Sequence, residues 1–368
     1  MDRSFKIISL VIIVLFGTSF FAEFADAESS PIRVDWTSKL NSGKVGSKKH
    51  LNFATPTVVQ GRAYVGSGGG FFYALDLKNG KKLWEVKLQG PVLSKPLFDS
   101  GTLYIGDGKG FVYSINPEDG QENWQAYIGE EVMSTPASSG GSIFVGTQSN
   151  SVFALDKSSG SIKWSVSRNL PFSSMSVKAA SDPVVIDGKV YVGNTDGVLV
   201  AYSVADGKKA MTIPVSAARA VFTDIDTSPL RHEGRVLFST MEGALYSVDY
   251  KTGREYWSKP IGTPNNIAYS EGIIFVSAGG KVYALRVESG ETVWEKDLEK
   301  MALSAPAVAN NYIVVVSTDD KLYLLDKASG EVALERHLGG GTFGAPVVAE
   351  GKILVLSNSN QLYAFKFQ

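Results

Sequence analysis

The chain has 368 residues, with 36 basic and 37 acidic side chains, three histidines and no cysteine. A near-neutral balance excludes the basic footprint of a nucleic-acid binder and a polybasic membrane surface. The lack of cysteine excludes disulfides, thiolate nucleophiles and cysteine-held zinc or iron–sulfur centres, and His50, His232 and His337 are too scattered for a histidine-rich metal centre.

Met1 to Ala27 reads as a targeting segment. Arg3 and Lys6 form a basic start, Ile7 to Ala22 is largely apolar, and Ala25-Asp26-Ala27 fits a small-x-small cleavage site. Cleavage before Glu28 and delivery to an extracytoplasmic compartment are expected. That removes Arg3 and Lys6 against Asp2, Glu23 and Asp26, so acidic and basic side chains remain in equal number. The alternative is an uncleaved anchor, for which the apolar run, interrupted by Gly17, Thr18 and Ser19, is short. With no cysteine after that run, lipid attachment there is not expected.

Glu28 to Pro31 leads into a predicted strand, Val34 to Leu40, carrying Trp36. Asn41 to Phe53, with Lys44, Lys48, Lys49 and His50, shows no alternation and is predicted as a loop. From there the chain repeats itself. Copies begin at Pro56, Pro96, Pro136, Pro183, Pro229, Ala268, Pro306 and Pro346. A last-strand position follows at Trp84, Trp124, Trp164, Met211, Trp257, Trp294 and Leu334. The spacing from leading residue to last-strand position is identical in every one of these copies except the slightly shorter Ala268 to Trp294. Copy one reads as strands Thr57–Val59, Ala63–Gly66, Phe71–Asp76 and Lys82–Lys87. Four strands joined by tight turns make a propeller blade. The eighth copy stops at Gln368 without a last strand, and the spare Trp36 strand supplies it. The expected fold is all-β: one eight-bladed propeller of four-stranded antiparallel blades across residues 28–368.

Gly80, Gly120, Gly160, Gly207, Gly253, Gly290 and Gly330 mark the hairpin into each last strand, where positive φ is needed. Further glycines (Gly68 to Gly70, Gly108, Gly110) resemble a phosphate cradle only superficially, because no helical pattern follows them. The tryptophans, with Tyr73, Tyr113, Phe153, Tyr246, Tyr283, Tyr323 and Tyr363 on the third strands, recur at the repeat period and are predicted to fill the gaps between blades. Acidic residues such as Asp76, Asp107, Asp156, Asp249 and Asp326 fall in turns, where capping and solvation account for them.

Function is expected where the array breaks its own rule. The step from the tryptophan position to the next copy is short and nearly constant from Trp84 to Pro96, Trp124 to Pro136, Trp257 to Ala268, Trp294 to Pro306 and Leu334 to Pro346. It is clearly lengthened from Trp36 to Pro56, Trp164 to Pro183 and Met211 to Pro229. The last two long crossings, Asn169 to Asp182 and Ser216 to Thr227, enter adjacent blades four and five and must be neighbours. Leu170, Phe172, Met175, Val177, Phe222 and Ile225 are interspersed there with Lys178, Arg219, Asp224 and Asp226. Apolar anchors among charges suit a protein–protein contact; the alternative is that these groups fold back over the blade edges.

The repeats resemble the quinoprotein-type β-propeller family, and within it the propeller subunits of the outer-membrane β-barrel assembly machine. Met175-Ser176-Val177-Lys178 stands where that family has Leu-x-Leu-Arg. Asp224-Ile225-Asp226-Thr227-Ser228-Pro229 matches its Asp-Val-Asp-Thr-Thr-Pro run. The resemblance implies a non-enzymatic periplasmic scaffold of a Gram-negative bacterium that assists insertion of outer-membrane barrels. It would dock on a periplasmic POTRA domain of a BamA-like insertase, with unfolded barrel proteins as further partners, and bind no cofactor or metal. Met175 and Val177 would be apolar contacts, Lys178 the cation and Asp224 its acidic companion, with Arg219, Phe222 and Asp226 beside them. Two departures stand out: family members are usually lipoproteins, and Lys178 offers a point charge where an arginine offers a fork. A scaffold for an unrelated envelope protein is the alternative. A pyrroloquinoline-quinone oxidoreductase is a further one, for which neither a vicinal disulfide nor a local calcium motif is present. No nucleophile with an oriented base is evident.

Overall fold

The computed structural model describes residues 30–40, 54–168, 181–214, 224–225, 227–241, 243–298 and 302–368. Its strands form eight four-stranded antiparallel sheets, each running outward from a three-residue inner strand. Blade one comprises Thr57–Val59, Arg62–Gly66, Phe71–Asp76 and Lys82–Lys87. Blade eight takes Val347–Ala349, Lys352–Leu356 and Gln361–Phe367 from the chain's end and Ile32–Lys39 from its start. Trp36 lies opposite Ala364 and Thr37 opposite Tyr363. The N-terminal strand thus closes the ring as its tryptophan suggests, beginning at Ile32 rather than at Val34 where the alternation starts.

Second and third strands are buried on both faces, because each sheet is covered by a neighbour on either side. The cores are therefore interfaces. Trp36, Tyr73, Val65, Leu354 and Leu362 form one cluster drawn from blades eight and one, and Tyr64, Trp84, Leu103 and Tyr113 form another from blades one and two. No blade could bury these side chains alone.

Every outermost strand breaks register just before its tryptophan position, for example between Trp84, opposite Ala74, and Lys82, opposite Leu75. The same irregularity recurs in the other seven sheets. A bulge re-aims the next side chain, and here it sends each indole onto the hairpin glycine of the following blade. A Cβ added at Gly160 would lie 2.5 Å from Trp124 and at Gly120 2.8 Å from Trp84, and one at Gly80 would run into Trp36. The indole N–H then donates to the carbonyl three residues before that glycine: Trp36 to Leu77 (2.8 Å), Trp84 to Pro117 (2.9 Å), Trp124 to Lys157 (3.1 Å). Trp164, Trp257 and Trp294 repeat the contact on Val204, Val287 and Lys327. The hairpin glycines thus serve two needs, positive φ and room for a ring.

These two needs can be separated. Gly101 and Gly160 both have positive φ (79° and 74°), but a Cβ at Gly101 meets nothing within 4 Å. Gly101→Ala should lose about 1 kcal/mol from backbone strain alone. Gly160→Ala should lose a further ~1–3 kcal/mol through overpacking against Trp124. Urea unfolding reads both, and equal losses would mean that the indole contact contributes nothing.

Ring closure is also held electrostatically. Asp35 on the N-terminal strand pairs with Lys352 and, at 2.8 Å, with Lys366. The hydrogen bond from Lys352, then that from Lys366, holds its carboxyl below the usual 3.8. A depressed folded-state value stabilises above the unfolded value and is lost as pH falls through the folded one. The stability advantage of the native chain over Asp35→Asn should therefore be present at about pH 7 and fade below about pH 4, read from thermal unfolding across that window.

Candidate functional site

The short connections into blades two and three are clamped in one way. Four residues before the leading proline, Val92 and Val132 donate their N–H to the carbonyls of Ser67 and Asp107 in the preceding blade. Their side chains cover Gly66 and Gly106, where an added Cβ would lie 2.7 Å from Val92 Cβ and 2.5 Å from Val132 Cβ. Two residues before the proline, Ser94 and Ser134 donate to the carbonyls of Gly106 and Gly146. These contacts fix where the two short crossings return to the ring.

The long crossing into blade five obeys the same clamp. Ile225 N–H donates to Asn194 O (3.1 Å), and Met241 N–H of blade five donates to Asp224 O (2.8 Å). That stitching draws both side chains into the seam: Asp224 is 3% and Ile225 2% exposed. Asp224 is therefore not presented at the surface as its place in the crossing suggests, and Ile225 folds back over the blade. The repeat contains the signal for this, since Ile225 occupies the register of Val92 and Val132. Met175, Val177, Lys178, Arg219, Phe222 and Asp226 lie outside the described residues.

What the structure does bring together is the two crossings' bases. Gly193 N–H donates to Ser181 Oγ of the first crossing (2.6 Å), while Ile225 of the second lies against the same glycine. Beside them the Asp182 carboxylate accepts Thr135 N–H of blade three (2.6 Å) and Ser228 Oγ–H of blade five (2.5 Å). Burial pushes the Asp182 carboxyl upward, opposed by those donors and by Lys95. At the start of the first crossing, Arg168 pairs with Asp196 at 2.5 Å. The sequence gives no sign of the Asp182–Ser228 bond, which joins residues 46 apart.

Elsewhere polar groups are structural. His232, Glu233 and Glu288 bring potential ligand atoms within 4.8 Å of one another. However, Arg235 already engages the Glu288 carboxylate and donates to its carbonyl (3.1 Å). Arg62 does the same to Glu118 and Pro117 across the seam of blades one and two, so these arginines are latches between neighbouring hairpins. His337 lies 2.7 Å from Asp320, a partner invisible in the sequence. Asp107 caps its turn through Lys109 and Phe111, but it is fully buried and also accepts from Gly90 and Tyr113; solvation plays no part. An open groove of about 660 Å³ between blades two and three contains Asp156, Lys157 and Lys163. Its Asp156 is a turn cap, held low first by Ser158 and then by Lys163, which suits neither a general base nor a nucleophile.

Residues 54–367 match the family model described as the β-propeller of β-alanine-activating enzyme. The chain is similar to outer membrane protein assembly factor BamB of Francisella tularensis, 27% identical over 41% of this chain and 34% of the relative. Against BamB of Salmonella typhimurium it is 31% identical over 70% of this chain and 57% of the relative. It thus spans less than two thirds of either relative's length. Its fold superposes on the crystal structure of BamB from Moraxella catarrhalis with a TM-score of 0.79 at 20% identity, covering 91% of this chain and 100% of that one.

The clamp at Gly193 can be tested by a double-mutant cycle. An added Cβ would lie 2.6 Å from Ile225 Cβ and 2.8 Å from its carbonyl. Gly193→Ala should destabilise by ~1–3 kcal/mol, and Ile225→Ala by ~2–4 kcal/mol. The double variant should cost less than their sum by more than ~0.5 kcal/mol. Additivity would place the two residues in separate environments.

Proposed function

The chain belongs to the family of the β-alanine-activating enzyme's β-propeller, and from that premise we propose that it is a non-enzymatic docking scaffold for outer-membrane barrel assembly. The family carries a fold rather than a reaction, so the role must be argued from the surface. The BamB relatives' names support a role in outer-membrane protein assembly; the partner we propose within it is a periplasmic domain of a barrel-inserting, BamA-like protein. The proposed compartment is the periplasm.

The observation that carries this reading is the bond between Asp182 and Ser228, which ties the bases of the two long crossings together. Those crossings contain Leu170, Phe172, Met175, Val177 and Phe222 among Lys178 and Arg219. Apolar residues interspersed with charges in the sequence, in crossings whose bases join neighbouring blades, fit a compact protein contact. Asp224 contributes by holding the second crossing's base, while Met175, Val177, Lys178, Arg219, Phe222 and Asp226 make the contact.

Affinity capture from envelope extract tests this. The native chain should recover the barrel-inserting outer-membrane protein. Lys178→Ala combined with Phe222→Ala should weaken capture by about tenfold or more, as loss of an interface cation and an aromatic anchor does, with no change in unfolding midpoint. Recovery of an unrelated envelope protein, or undiminished capture by the double variant, would reject the reading.

A further inference from the structure

We infer that the open groove between blades two and three is a binding site for a short neutral saccharide, independently of the docking role proposed above. The groove lies where other seams carry a latch. In blades one and five the second strand begins with an arginine that reaches across the seam to the next hairpin. Arg62 donates to Pro117 O (3.0 Å) and pairs with the Glu118 carboxylate, and Arg235 donates to Glu288 O (3.1 Å) and pairs with its carboxylate. Blade two begins the same strand with Thr102. In the hairpin that it faces, the residue after the carbonyl bonded by the indole is Ser158, where the sister hairpins have Glu118 and Glu288. Both members of the ion pair are thus exchanged for hydroxyls, and a groove of about 660 Å³ opens between Thr102 and Ser158. Openings of roughly 300–1,000 Å³ accommodate small molecules.

The lining selects the class of ligand. Blade two places Ser114 opposite its tryptophan, where blades one, three, four, six and eight have alanine. Ser114 is 2% exposed and accepts the Asn123 amide (3.1 Å), so its own proton can be given to a ligand while Asn123 Oδ1 accepts from one. The ammoniums at the rim are already balanced, Lys157 by Asp99 and Lys163 by Asp156 at 3.1 Å. A charged ligand would therefore compete with an existing ion pair. An incoming arginine, as in the sister seams, would find a serine in place of their glutamate. Sugar hydroxyls, which donate and accept alike, match a wall of hydroxyls and an amide without disturbing either pair.

Saturation-transfer NMR titration of the full chain tests this with two probes, the linear tetramer of N-acetylglucosamine and maltotetraose, which separate an N-acetylated glycan from a plain glucan. At least one should bind with a Kd of about 1 mM or tighter. Thr102→Arg combined with Ser158→Glu rebuilds the latch of the sister seams inside the groove and should weaken binding by about tenfold or more, with the urea midpoint retained. Ser114→Ala and Asn123→Leu install what blade one carries at these places, Ala74 and an exposed Leu83. Each should weaken binding by about three- to tenfold, which keeps the test decisive if the latch variant does not fold. Failure of both sugars to bind the native chain, or binding undiminished by the latch or by both single variants, overturns the inference.

Discussion

The ring depends on an indole lying flat on a glycine in the next blade. The contact needs three things at once: a bulge that turns the tryptophan outward from its own sheet, a hairpin residue without Cβ, and a free carbonyl to receive the indole N–H. Six seams meet all three conditions. Each such contact links consecutive blades, so the array is stabilised pairwise, as stacked repeats are. Because the N-terminal strand brings Trp36, the chain's two ends are locked by the same device as its middle.

The two seams without tryptophan show the rule from the other side. Blade eight has no hairpin between its last two strands, since the outermost one arrives from the N-terminus. It thus offers no glycine to dock on, and Leu334 in blade seven packs as an ordinary apolar side chain. Blade four has Met211 facing a hairpin that still carries Gly253. There Ile213 covers the glycine at 3.3 Å from an added Cβ, a looser fit than any indole makes. The carbonyl of Tyr250, which an indole would have bonded, is taken by the Tyr191 hydroxyl at 2.8 Å. Burial pushes that phenol up to about 12, so it stays protonated and keeps donating.

Periodicity made most of the fold legible. Strand positions, hairpin glycines, buried aromatics and the closing strand all follow from a pattern of short-range spacing, which a sequence displays directly. What it hid was contact across seams. The sequence shows that Gly160 needs positive φ, but not that Trp124 lies on it. It shows Asp107 beside glycines, but not the Gly90 and Tyr113 donors that let the carboxylate be buried. Ile225 was legible in principle, because its register matches Val92 and Val132; Asp224 was not, because the bond its carbonyl accepts from Met241 N–H of blade five is a contact across the seam.

Ile225, at the base of the crossing into blade five, lies on the seam where the indole lock is missing. This seam keeps a buried apolar core, with Tyr191, Ile213, Ile225, Phe238 and Tyr246 in one cluster, and adds to it a tyrosine hydroxyl and a set of directional polar bonds where a tryptophan seam has its indole. Such bonds fix position by geometry rather than by volume, so each can be changed singly without leaving a large cavity. Tyr250 adds another, donating to Asp187 of blade four at 2.6 Å. The seam between blades four and five therefore matches the tryptophan seams in buried apolar packing and differs in how its hairpin is held, by a phenol hydroxyl in place of an indole N–H.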